Sequence, residues 1–358
     1  MNDFYDFDVV FIEEKYKDNK RVKEILTRIK SAPEINIVEN IYIALEKLPV
    51  IYHPLKRAKN LFLGGIRGDI LRKCPGSQGH ICCNYYVINL YIGCPLNCSY
   101  CILQAYLNQP FIIINIDIEN IFFHLDKILK ENKDKIYRIG TGELGDSLVY
   151  DYLTDFSIDF IDFFSNYKNV IFEFKTKTDN INNLLKKSNN SNIVVGFSLN
   201  PQSIIEREET KASSLLDRLN SAKILADSGY KIAIHFDPII HINNWENEYK
   251  SLIDEIFKYI KPENIVWWSL GTFRYTPDLK NMIEYNYYDS KILSEEFREC
   301  KDKKFRYFKP IREKIYKTVN NHILNYDTKI PLYLCMESPE VWKNIISLEQ
   351  QKNLKILF

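Results

Sequence analysis

The chain has 358 residues, longer than an average domain but within reach of a single barrel with appendages, and its formal charge of +1 leaves any polyanion site to be local. Met1 to Tyr16 carries Asp3, Asp6, Asp8, Glu13 and Glu14 where a signal peptide would be basic and then apolar, and no apolar run is long enough to span a bilayer, which points to the cytoplasm and away from a membrane. Thiols stay reduced there, so eight cysteines argue for metal or redox chemistry over disulfides.

Taken in order, Asp8 to Glu14 and Ile35 to Glu39 read as short strands around a helix near Arg21 to Lys30, a small α/β lead-in over residues 1–84. A Gly-rich basic segment, Leu61 to Gly68, and a Pro-Gly turn at Cys74-Pro75-Gly76-Ser77 follow, with Cys82-Cys83 close behind. From Tyr85 the pattern becomes regular. Strands are expected at Tyr86 to Ile92, Tyr137 to Thr141, Asn169 to Lys175, Ile193 to Asn200, Lys231 to Pro238 and Ile265 to Gly271. Helices are expected near Ile118 to Asn132, Ser157 to Tyr167, Ile181 to Lys187, Ser213 to Ser228 and Trp245 to Tyr259. Six strands alternating with helices mean parallel βα units, which right-handed crossovers curl into a partial barrel over 85–272 with its chemistry at the carboxyl ends of the strands. The fold class is therefore α/β, a partial (βα)6 barrel with a small N-terminal α/β domain and a C-terminal extension over 273–358.

Within that extension, Arg298 to Lys317 holds nine Lys or Arg against three acids, interleaved with Phe305, Tyr307, Phe308 and Tyr316. Cations and aromatics together suit a phosphate backbone and a stacked base, whereas the plainer reading is a solvated helix lying on the barrel. Tyr333 to Ser338 reads as a strand returning to the core.

The chemistry concentrates in Gly93-Cys94-Pro95-Leu96-Asn97-Cys98-Ser99-Tyr100-Cys101. Three cysteines spaced C-x-x-x-C-x-x-C are an incomplete set for a closed site, which wants four protein ligands. Three thiolates hold three irons of a cubane [4Fe-4S] cluster and leave the fourth open. The alternatives are a zinc knuckle with its fourth ligand elsewhere, which would make the chain a non-catalytic binding module, or buried structural thiols. The run resembles that of the radical S-adenosylmethionine (SAM) enzymes, in which the open iron takes the amino and carboxylate groups of SAM.

The sequence from about Leu61 to Trp342 resembles the spore photoproduct lyase family of radical SAM proteins, in a DNA repair photolyase-like subgroup. The likeness rests on Gly93-Cys94 through Gln104, on Lys177, on Phe197-Ser198-Leu199-Asn200, on Asp237-Pro238-Ile239-Ile240 with Trp245, and on Ser269 to Arg274. It implies a radical SAM barrel with SAM and a [4Fe-4S] cluster on Cys94, Cys98 and Cys101, and lyase chemistry on a DNA lesion. A small reducing protein such as flavodoxin or ferredoxin would supply the electron. In the family a cysteine after the second barrel strand returns a hydrogen to the product radical, but here Gly140 to Ser147 contains none. Gly142-Glu143 instead resembles the loop that binds the SAM ammonium in many radical SAM enzymes. Lys177 and Ser198 match positions that contact SAM. Tyr100 is retained from the hydrogen-relay path, while Ile102 stands where the spore enzyme has a second tyrosine.

Cys74, Cys82, Cys83 and Cys335 are candidates for a substitute hydrogen donor; for the first three the alternatives are core packing or ligation of an auxiliary metal, the latter disfavoured because such clusters usually need four ligands. Asp237 suits ribose hydroxyls, a substrate, or simply a turn. His235 and His241 are more readily structural than catalytic. The expected substrate is a nucleic acid, with a peptide, a tRNA or a small metabolite as the runner-up.

Overall fold

The computed structural model describes residues 3–51, 53–65, 67–76, 79–187 and 192–354; Ile66 and Ser77 of the segments read above lie outside them. Near the N-terminus, strands β1 (Val9–Glu13), β2 (Glu34–Val38) and β3 (Asn60–Gly64) run parallel. The helix Lys20–Arg28 connects the first two, opened by Asn19, whose side chain accepts from the Arg21 amide at 2.8 Å.

A second sheet begins with β4 (Arg72–Lys73), antiparallel to β5 (Tyr85–Val87). The chain then gives β6 (Tyr91–Ile92) and β7 (Ile112–Asn115) to the first sheet, whose order becomes β2-β1-β3-β7-β6. The second sheet continues through β8 (Tyr137–Gly140), β9 (Val170–Thr176), β10 (Ile193–Ser198), β11 (Lys231–Ile239) and β12 (Ile265–Thr272), all parallel to β5. A small antiparallel sheet of β13 (Arg274–Tyr275), β14 (Phe297–Glu299) and β15 (Phe305–Tyr307) interrupts before β16 (Leu332–Leu334) closes the large sheet on β12. The large sheet curls into a half-barrel.

Every residue of β10 is buried, as a parallel strand covered on both faces requires. The helix Ile118–Glu131 buries Ile118, Ile121, Leu125 and Leu129, one stripe at helical spacing. The helix Leu215–Asp227 is capped by Ser214, which accepts from the Asp217 amide at 3.2 Å.

Three expectations differ from what is observed. The stretch Tyr86 to Ile92 is two strands in two sheets. Ile88 still donates to the Gly140 carbonyl at 2.9 Å, but Leu90 turns back onto Ile88 and accepts from the Asn115 amide, also at 2.9 Å. Both halves are runs of large, half-buried or buried apolar residues, so apolar patterning cannot see the bend between them. For the same reason the first sheet does not stop at residue 84, since β6 and β7 complete it from beyond. The helix expected at Ile181 to Lys187 is only a 3-10 turn, Leu184–Lys186.

The basic-aromatic segment does not form one charged face. Tyr307 and Tyr316 are buried, Arg306 is buried against Asp302 at 2.7 Å, and Arg312 reaches Glu337 at 3.0 and 3.2 Å. The first pair holds the hairpin to its own turn and the second fastens the helix Lys309–Leu324 to the segment after β16, so the helix-cover reading describes only the later part of the stretch, from Lys309 to Lys317. The return strand is observed as β16, which ends at Leu334 rather than running to Ser338. Among the described residues no helix is long and apolar enough to cross a membrane.

Candidate active site at the strand ends

The cysteine run follows β6. Gly93 has φ +102°, and a Cβ there would stand 2.6 Å from the Ile112 side chain, so only glycine fits. Asn97 also takes a positive φ, 53°. The Gln104 amide donates to the carbonyls of Cys98 at 3.1 Å and Ser99 at 2.9 Å, closing the run into a compact loop.

Cys94, Cys98 and Cys101 line one small cavity with Pro54 and Arg57, and no fourth cysteine, histidine or carboxylate among the described residues lines it. Burial is the main cause that pushes all three thiols up, a cost that a bound cation would relieve. Among the described residues no group of three His, Cys, Asp or Glu converges as ligands of a single ion. Thiolates of a cubane each bind a different iron, so they stand apart around it. Three thiols and an open side fit such a cluster better than a zinc knuckle.

Cys101 also lines a larger cavity of about 350 Å³ at the carboxyl ends of the barrel strands. Its walls include Glu143 after β8, Lys175 of β9, Asp237 of β11, Arg274 of β13 and Cys74. Asp237 and Arg274 pair at 3.0 and 3.4 Å; Asp237 is held at about 2 against burial, chiefly by the Arg274 charge. Glycine at 271 makes room for this pair, since a Cβ would come within 2.5 Å of Asp237 Oδ1.

The candidate thiols separate. Cys74 is on the cavity wall, its thiol pushed up to about 11 by burial and then by Glu143. Cys335 sits behind, 3.9 Å from the Arg274 guanidinium and raised to about 12, mainly by burial. Cys82 and Cys83 do not line the cavity. Cys82 is exposed and lowered to about 6, chiefly through its hydrogen bond with Cys83.

Gly142 packs tightly, a Cβ there meeting the Lys175 Cβ at 2.9 Å. Lys177 lies 5.5 Å from the centre of the Tyr100 ring and 3.4 Å from Glu209 Oε1. Neither Lys177 nor Ser198 lines the larger cavity; Tyr100 does. The buried Ser198 carbonyl accepts from Arg218 Nη1 at 2.8 Å. His235 is buried against Glu173 at 2.6 Å inside the barrel, away from either cavity wall, and His241 pairs with Glu295 at 3.1 Å.

Sequence reasoning missed the hub that joins these groups. Glu209 is fully buried, its carboxylate accepting from Arg218 at 2.6 Å, from Asn200 at 2.9 Å and from the Tyr100 hydroxyl, while its backbone pairs antiparallel with that of Cys98. In the sequence it ends Glu206-Arg207-Glu208-Glu209, which looks like any solvated helix end. Asp146 was missed as well. It accepts from the amides of Leu148, Val149 and Lys177 and from the Thr176 hydroxyl at 2.7–3.0 Å, tying the loop after β8 to the end of β9. Only its place two residues beyond Leu144, in a Gly-rich loop, could have pointed to it.

A curled sheet of parallel strands, with a three-thiol loop beside the cavity at their carboxyl ends, defines a radical SAM protein. The family model described as Spore photoproduct lyase matches residues 8–331. The chain belongs to the spore photoproduct lyase family. It is 25% identical over 259 residues to the spore photoproduct lyase of Clostridium acetobutylicum, covering 72% of this chain and 75% of that one. With the Bacillus subtilis spore photoproduct lyase it shares 28% over 221 residues, 60% of this chain and 64% of the relative. A solved spore photoproduct lyase complexed with dinucleoside spore photoproduct superposes with a TM-score of 0.79 at 22% identity, covering 92% and 99% of the two chains. A doubly substituted form with bound AdoMet and the same dinucleoside gives 0.77 at 22% identity over 92% and 98%.

Proposed function

We propose that this protein cleaves SAM reductively at a [4Fe-4S] cluster and applies the resulting radical to a lesion in a nucleic acid. The observation that carries the reading is the shared wall: Cys101 belongs both to the three-thiol cavity and to the larger one. Bound there, the cluster and SAM would supply a 5'-deoxyadenosyl radical, chemistry no side chain provides.

This chain's residues divide the remaining work. Cys94, Cys98 and Cys101 would each hold one iron. Glu143 would take the SAM ammonium, with Gly142 letting its loop pack closely on Lys175, and Lys177 and Ser198, which line neither cavity, would support the SAM site from behind its wall. Glu209 keeps Lys177 and Tyr100 in place. Arg274, Lys175 and Lys304 set cations on the larger wall beside Tyr106, Phe273 and Tyr275, a mixture suited to a phosphate and a stacked base. The relatives solved with dinucleoside spore photoproduct support a nucleic-acid lesion as substrate. Apart from the cluster cysteine Cys101, Cys74 is the thiol on that wall among the described residues and takes the role that the cysteine-free loop after β8 leaves open. A small reducing protein such as flavodoxin or ferredoxin would reduce the cluster in the cytoplasm.

The test is to reconstitute the protein anaerobically, reduce it with SAM present, and measure 5'-deoxyadenosine with and without ultraviolet-irradiated DNA. The reading expects deoxyadenosine in both and a restored base only with DNA. A colourless protein with one zinc and no SAM cleavage overturns it. DNA binding should weaken steeply as salt rises; salt-independent behaviour would favour a small metabolite.

A further inference from the structure

Arg72 belongs to β4, the short antiparallel strand at the edge of the barrel sheet, in sequence well before the cluster loop. Its Nη2 donates to Glu143 Oε2 at 2.8 Å. With the Asn89 amide oriented oxygen toward Arg72, that oxygen accepts from Nη2 at 2.7 Å and Nε at 3.1 Å, and its nitrogen donates to Glu143 Oε2 at 3.3 Å. One carboxylate oxygen is thus fixed twice. The other has no protein partner among the described residues, and Glu143 lines the larger cavity. The next residue, Leu144, accepts from the Gly93 amide at 2.8 Å, which fastens the same loop to the start of the cysteine run.

We infer that Arg72 and Asn89 are positioning residues for SAM, aiming the free oxygen of Glu143 at the ammonium while the held oxygen cannot rotate into its place. This rests on the reading of Glu143 given above. A bare carboxylate on a loop would sample several rotamers and lose entropy on binding; one already clamped by a forked guanidinium does not. Arg72 does not itself line the larger cavity, so its influence on SAM passes through Glu143.

The experiment measures binding of SAM and of methylthioadenosine, which keeps the nucleoside and lacks the amino acid, to the cluster-loaded protein by calorimetry. Arg72→Gln is expected to weaken SAM about five- to tenfold and leave methylthioadenosine unchanged. Arg72→Gln with Glu143→Gln should bind SAM no more weakly than Glu143→Gln alone, because both remove the same contact. Arg72→Lys, charged but unforked, should recover only part of the loss. If Arg72→Gln does not fold, Asn89→Ala is read in the same way, with a smaller loss confined to SAM. Unchanged SAM affinity, or an equal loss for both ligands, overturns the inference. A wild-type protein that binds no SAM overturns the proposed function and this inference together; one that binds SAM while Arg72→Gln binds it equally overturns only the inference.

Discussion

Replacing Asp237 by Asn keeps the shape at the end of β11 and removes the charge that faces Arg274. The carboxyl is held at about 2 in the fold, against an ordinary value near 3.9 in an unfolded chain. A depressed carboxyl contributes stability above its unfolded value and loses it as pH falls through the folded one. The difference is worth roughly 2–3 kcal/mol at pH 7, and about half of that at pH 3. The arginine left behind is mostly buried, its side chain 16% exposed, so its unpaired charge adds to the loss. For a chain of this length the pair alone corresponds to a fall in Tm of about 3 °C at pH 7. Thermal unfolding of wild type and Asp237→Asn, followed by circular dichroism at pH 7 and at acid pH, reads both quantities. The gap should narrow as pH drops from about 4 toward 2. A variant that melts within 1 °C of wild type at pH 7, or a gap that widens in acid, refutes the assignment of this ion pair as stabilising.

Substituting any one of Cys94, Cys98 or Cys101 by Ala should drop anaerobic iron from about four per chain to near none, as measured by iron assay and visible absorbance. Gly140→Ala would place a methyl 1.6 Å from the Tyr85 hydroxyl and 2.9 Å from the Glu173 carbonyl, and should destabilise by about 2 kcal/mol or more in chemical denaturation. Cys74→Ala should still cleave SAM to 5'-deoxyadenosine yet fail to complete product from irradiated DNA, whereas Cys335→Ala, behind the wall, should complete it; product analysis by mass spectrometry separates them.

Much of the barrel was legible because a parallel strand buried on both faces is a continuous apolar run, and its helices carry a single buried stripe. The strand at Ile193 and the helix at Ile118 are both visible in this way. The hairpin of β14 and β15 and the start of the helix after it were not, since their cations looked solvated until Asp302 and Glu337 were found beside Arg306 and Arg312. The site divides along the same line. Cys94, Cys98 and Cys101 are close in sequence, so spacing alone brings their thiols around one loop, and Glu143 is marked by its glycines. Glu209, Asp146 and Arg72 carry no local mark, because what distinguishes them is the partner each meets after the chain has folded.

Local order along the chain therefore determined the three-thiol loop, the alternation of strand and helix, and the lack of a cysteine after β8, for these depend only on neighbours a few residues apart. Tertiary structure alone decided that β6 leaves the barrel for the first sheet, that Cys74 and not Cys82 reaches the cavity, and that Arg72 clamps Glu143 from 71 positions away. Contacts at that separation depend on which distant strands become neighbours, β4 on β5 and β5 on β8 in the case of Arg72 and Glu143, and nothing in the residues between them encodes that pairing locally.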